Sequence, residues 1–146
     1  MAGILVIDDD RAVLATVKIL LERAAHAVEA VDNSRTGLQR LEARSFDLLI
    51  VDIFMPGMDG FETMKLVHRS RPQMPVIVMS GQQFALASER QLDFLHMATR
   101  LGAVSSLQKP FRPAELLMAV DGSLSSSQPP PGPPRKMPAG FPSERR

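Results

Sequence analysis

Asp8 and Asp9 stand side by side after the apolar run Gly3–Ile7. Asp52 closes a second run, Leu48–Val51, and Ser80 closes a third, Val76–Met79. Lys109 follows a fourth, Val104–Leu107. A carboxylate at the end of an apolar run is costly to bury unless something offsets its charge. Asp52 therefore either caps a helix or sits at a strand tip beside a cation. If the runs lie side by side, three carboxylates share one small volume and repel each other. A hard dication suits such a set, because Mg²⁺ takes oxygen ligands, keeps several waters and uses one or two protein carboxylates. Lys109 adds a mobile ammonium that can reach the same edge. Acids, hydroxyl and lysine together make a pocket for a small dianion, with a phosphoryl group the obvious candidate. An aspartate so placed can also act as a nucleophile and form an acyl phosphate.

This chemistry needs a frame that carries distant runs to one edge. Strand-like runs cover Gly3–Ile7, Ala27–Val31, Leu48–Val51, Val76–Met79 and Val104–Leu107. Helix-period segments alternate with them, near residues 11–24, 34–44, 60–70, 89–101 and 113–124. Asp10 reads as the N-cap of the first helix and not as a metal ligand. Asp59 with Glu62, and Ser88 with Gln91, are capping patterns for the third and fourth helices. Five strands alternating with five helices predict an α/β fold, a doubly wound parallel sheet covered on both faces. Such a sheet binds its ligand outside the carboxyl ends of its strands. The active edge is then where Ile7 meets Asp8, Val51 meets Asp52 and Met79 meets Ser80.

The 146 residues suffice for one ordinary domain. The absence of Cys excludes disulfides, thiol redox chemistry and zinc–thiolate sites. Asp8 and Asp52 interrupt the longest apolar runs, so none reaches membrane-spanning length. No basic segment precedes the first run, so no signal peptide is expected and the cytoplasm is the expected location. Residues 1–121 carry 13 Lys+Arg against 15 Asp+Glu, a net of −2, which gives no nucleic-acid signal. Residues 122–146 carry 4 against 1, a net of +3. That end is rich in Pro, Ser and Gly. We expect a domain over 1–122 and a disordered basic tail over 123–146, with a polyproline II stretch at 129–134.

Four separated segments, VIDDD at 6–10, VDIFMPGMDG at 51–60, VMSG at 78–81 and LQKPF at 107–111, resemble the response-regulator receiver domain in order and spacing. The resemblance covers about residues 3–121. It implies a flavodoxin-like sheet of order 2-1-3-4-5 in a bacterial two-component or phosphorelay system. It implies that Asp52 accepts a phosphoryl group from a sensor histidine kinase or a phosphotransfer protein. Asp9, Asp52 and the backbone carbonyl of Phe54 would hold Mg²⁺, with Asp8 acting through a water. Ser80 would hydrogen-bond the phosphoryl oxygen and Lys109 would pair with it. The peptide bond before Pro110 is expected to be cis.

The chain departs from that pattern in three places. Ser106 stands where receivers usually carry an aromatic that turns inward on activation. The segment from Ser80 to Gly102 is longer than usual, and residues 81–88, with Phe84 and Leu86, are expected to form a docking or lid loop. Phe54 and Gln82 border the expected path of hydrolytic water, so slow self-dephosphorylation is expected.

The expected function is a stand-alone phosphoacceptor switch and not an enzyme. It would act on a downstream protein target or relay phosphate, with no direct DNA binding and no membrane contact, and homodimerisation on phosphorylation is one outcome the resemblance allows. The alternative is a pseudo-receiver that binds a partner without being phosphorylated. A metal-dependent phosphohydrolase of the haloacid dehalogenase type ranks lower. Such an enzyme wants a second acid two residues after its nucleophile, and that position is Phe54.

Overall fold

Each apolar run of the sequence becomes a strand, and the acids mark where strands end. The structure, a computed structural model, describes residues 2–53, 60–81 and 96–127. The strands are β1 (Gly3–Ile7), β2 (Ala27–Val31), β3 (Leu48–Asp52), β4 (Val76–Ser80) and β5 (Ala103–Gln108). The helices are α1 (Arg11–Arg23), α2 (Ser34–Ala43), α3 (Gly60–Ser70), α4 (residues 96–100) and α5 (Pro113–Ser127). All neighbouring strands are parallel, in the order β2-β1-β3-β4-β5. The expected flavodoxin-like sheet is therefore the observed one.

Strand side chains alternate between faces, so the sheet builds two cores. Leu5, Ile7, Leu49, Val51 and Val78 face the layer of α2 and α3, where Leu41, Met64 and Val67 meet them. Ile4, Val6, Leu48, Ile50 and Ile77 face α1 and α5, where Val17, Leu21, Leu116 and Val120 meet them. β3 and β4 are buried at every residue, which explains their unbroken apolar composition.

Local signals set the helix starts. Asp10 caps α1, its side chain accepting from the N–H groups of Ala12 at 2.9 Å and Val13 at 3.3 Å. Asn33 caps α2 by accepting from Thr36 N at 2.8 Å. The expected caps Asp59, Ser88 and Gln91 lie outside the described residues, as do Phe54, Gln82 and residues 82–88 of the expected loop.

One boundary moves. α5 continues to Ser127, so the first five residues of the expected tail are helical. Serine-rich composition suggested a tail, but the spacing of Leu116, Val120 and Ser123 continues one core-facing stripe. Ser123 is buried, and Leu124 packs against the core of that face. Residues 128–146 lie outside the description.

Candidate functional site

Strand register assembles the site. Ile7 pairs with Val51 across β1 and β3, so Asp8 and Asp52 emerge next to each other at the carboxyl edge. Asp52 pairs with Met79, which brings Ser80 to the same edge. Ser80 pairs with Gln108, and Lys109 N–H donates to the Ser80 carbonyl at 2.8 Å. Four strands thus deliver side chains that are separated in sequence by as much as 101 positions, from Asp8 to Lys109.

Asp8 is fully buried, Asp52 and Ser80 are nearly so, and Asp9 is exposed. One carboxylate oxygen from each of Asp8, Asp9 and Asp52 lies within 4.8 Å of the others. Lys109 Nζ lies 2.7 Å from Asp8 Oδ2 and donates to Asp52 Oδ2 at 3.1 Å. Asp8 Oδ1 accepts from Asp10 N–H at 2.9 Å, which ties the cap of α1 to the site. The Lys109–Pro110 peptide is cis, as expected.

The charges in this cluster are strongly coupled. Burial pushes the Asp8 carboxyl above its ordinary value, against the hydrogen bonds from Lys109 and the Asp10 backbone, and the nearby Asp52 charge adds to the rise. Burial alone pulls the Lys109 ammonium down. The hydrogen bond to Asp8 and the charges of Asp52 and Asp8 outweigh it and hold Lys109 above its ordinary value.

The donor set fits a hard dication. It offers three carboxylate oxygens, two on nearly buried groups and one from exposed Asp9, which leaves the site open on the solvent side. Asp8 Oδ2 is wholly buried, with the Lys109 ammonium 2.7 Å away. A carboxylate oxygen has more than one lone pair, so it can also serve a metal or a metal-bound water.

The structure thus gathers Asp8, Asp9, Asp52, Ser80 and Lys109 on one edge, as expected. The sequence did not show that Lys109 is held by two carboxylates at once. Nor did it show the buried hydrogen bond from Thr63 Oγ1 of α3 to Ser34 Oγ of α2, at 2.6 Å. Both depend on distances between elements, which spacing along the chain does not encode.

Comparison with known proteins agrees with this geometry. The profile of the response regulator receiver domain matches residues 4–121, and the chain belongs to that family. It is 32% identical over 127 residues to the transcriptional regulatory protein FixJ of Bradyrhizobium diazoefficiens, covering 86% of this chain and 58% of FixJ. It is 33% identical to the DNA-binding transcriptional regulator NtrC of Azospirillum brasilense, covering 88% of this chain and 25% of NtrC. The chain therefore spans about half or less of these relatives. A CheY-like receiver domain protein from Methanospirillum hungatei superposes with a TM-score of 0.78 at 30% identity, covering 87% of this chain and 96% of that one. A receiver domain protein from Clostridium thermocellum gives 0.75 at 30% identity, covering 86% and 96%. Among the described residues, no helix is long and apolar enough to cross a membrane.

Proposed function

We propose that Asp52 is the phosphoacceptor of a Mg²⁺-dependent signalling switch. The observation that carries this is the placement of its carboxylate within 4.8 Å of Asp8 and Asp9, with Lys109 Nζ 3.1 Å from its Oδ2. A carboxylate oxygen of Asp52 attacks phosphorus, an O–P bond forms, and the N–P bond of a donor phosphohistidine breaks. The donor's imidazole nitrogen leaves with the bond electrons. Lys109 offsets the negative charge on the phosphoryl oxygens, and the Ser80 hydroxyl donates a hydrogen bond to one of them. Asp8, Asp9 and Asp52 would hold Mg²⁺, with the Phe54 carbonyl that the resemblance adds, and the bound metal supplies charge neutralisation.

The donor is a sensor histidine kinase or a phosphotransfer protein, and the phosphorylated domain acts by contact with a further protein or passes the phosphoryl group on. The domain is a stoichiometric acceptor that slowly loses its phosphoryl group to water, along a path on which the family resemblance puts Phe54 and Gln82. Phe54→Asn is expected to shorten the phosphate lifetime, and an unchanged lifetime would remove Phe54 from that role. The alternative, an unphosphorylated interaction module, draws support from exposed Ser106, which puts no ring on β5 to report the state of the site.

Intact mass after incubation with Mg²⁺ and acetyl phosphate tests the proposal. One added phosphoryl group, absent in Asp52→Asn and in EDTA, is the expected result. No adduct in a wild-type chain that binds Mg²⁺ would favour the interaction module.

A further inference from the structure

The phosphoacceptor strand ends against the first residue of α3. Gly60 N–H donates to the carbonyl of Ile53, the residue after β3, at 3.2 Å, so the start of α3 lies against the strand end seven positions before it. A Cβ built on Gly60 would lie 2.3 Å from the Asp52 carbonyl oxygen, 2.4 Å from Ile53 Cα and 2.9 Å from the Asp52 carbonyl carbon. Carbon atoms in favourable contact stand about 3.5–4.0 Å apart, so these separations are deep overlaps. The overlapping atoms are all backbone, and no rotamer change relieves them.

The strand end cannot easily yield. Ile53 is fully buried, and its N–H donates to the Met79 carbonyl at 3.1 Å. Asp52 is paired with Met79 in the middle of the sheet. A side chain at position 60 must therefore shift the Asp52–Ile53 peptide or push α3 away and break the bond to Ile53. Either movement disturbs the aim of the Asp52 carboxylate at Asp8 and Asp9.

We propose that Gly60 is a positioning residue for Asp52: the bare backbone at the start of α3 lies on the Asp52–Ile53 peptide and fixes where the carboxylate points. This rests on the reading of Asp52 as phosphoacceptor in a Mg²⁺ site. Gly60 is not part of the metal or phosphoryl contacts themselves. A misplacement of about 1 Å is enough to slow a positioned reaction by about a hundredfold, and losing support behind a metal ligand weakens metal binding by about tenfold or more.

The test compares wild type, Gly60→Ala and Leu21→Ala. Leu21 is fully buried near the far end of α1, so its truncation weakens the fold away from the acids. Mg²⁺ affinity is measured by calorimetry, acetyl-phosphate uptake by intact mass, and melting temperature in EDTA by circular dichroism. The expected result for Gly60→Ala is a folded chain with Mg²⁺ affinity and uptake rate each down by about tenfold or more. Leu21→Ala is expected to melt lower while Mg²⁺ affinity and uptake stay within about twofold of wild type. Wild-type Mg²⁺ affinity and uptake in Gly60→Ala would overturn the proposal. So would a Gly60→Ala chain that fails to fold while Leu21→Ala folds, or equal losses in both variants, because each makes Gly60 a structural residue only. A wild-type chain that binds no Mg²⁺ would instead overturn the reading of the site, and this proposal with it.

Discussion

β3 and β5 each deliver one charge to the same site, from opposite kinds of strand. β3 lies between β1 and β4 and buries all five of its residues. β5 is an edge strand, buries only Leu107, and pairs with β4 through a register shift next to Val76 and Ile77. Asp52 therefore stands on a wholly buried central strand, while Lys109 follows a largely uncovered edge strand. The division suits the chemistry. On the proposed phosphoacceptor reading, the nucleophile must hold one aim, whereas the ammonium exchanges its carboxylate partners for an incoming phosphoryl group. Val104 is exposed and Ser105 and Ser106 are small, which leaves Leu107 as the one large β5 side chain in the core.

The contrast can be broken most severely at the tight end. Asp52→Asn is expected to reduce phosphoryl uptake from acetyl phosphate to an undetectable level by intact mass, with Asp8 and Asp9 still present. Lys109→Ala comes next. It is expected to slow uptake by about a hundredfold, the usual scale for removing one charge-stabilising donor, while Asp52 remains the site of modification. Uptake at the wild-type rate would show that Lys109 does not meet the phosphoryl group.

A smaller effect appears in stability without metal. Asp8→Asn removes a buried charge and its repulsion with Asp52, and leaves Lys109 to Asp52. We expect it to raise stability in EDTA by about 1 kcal/mol, read from urea unfolding by circular dichroism. The gain depends on pH. The Asp8 carboxyl of the folded chain is held above the ordinary 3.8, so the folded chain keeps a proton that the unfolded chain has released. The stability this retained proton gives wild type is full below pH 3.8 and is lost as pH rises through the folded value. Wild type is expected to fall behind Asp8→Asn across that window and to run parallel above it. Lys109, held above 10.5, contributes stability that is full below pH 10.5 and is lost as pH rises through its folded value.

The loose end should matter least to the chemistry. Ser106→Ala on exposed β5 is expected to leave phosphoryl uptake within about twofold of wild type and stability within about 0.5 kcal/mol. A large loss of uptake would mean that β5 is coupled to the site more tightly than its burial suggests.

Much of this was legible in the sequence because parallel strands buried on both faces leave a continuous apolar signal. The runs ending at Ile7, Val51 and Met79 located the strands to within a residue, and the acids and serine after them located the active edge. The weaker signals were less exact for physical reasons. β5 is an edge strand with alternating exposure, so its limits are broader than the run Val104–Leu107. The end of α5 was hidden by serine-rich composition, although Ser123 and Leu124 keep the helical stripe of Leu116 and Val120. In the sequence, Gly60 is only the last residue of the VDIFMPGMDG segment and the first of a helix-period stretch. Its close approach to Asp52 is a tertiary contact that no local pattern announces.

On the proposed reading, Asp52, and not one of the neighbouring acids, takes the phosphoryl group. The most direct measurement is to phosphorylate the chain with Mg²⁺ and acetyl phosphate, reduce the acyl phosphate with borohydride, and map the peptides by mass. Reduction converts an aspartyl phosphate to homoserine and marks the residue permanently. Homoserine at position 52 alone, dependent on Mg²⁺, is the expected product. Homoserine at Asp8 or Asp9, or an adduct that forms equally well in EDTA, would contradict that reading.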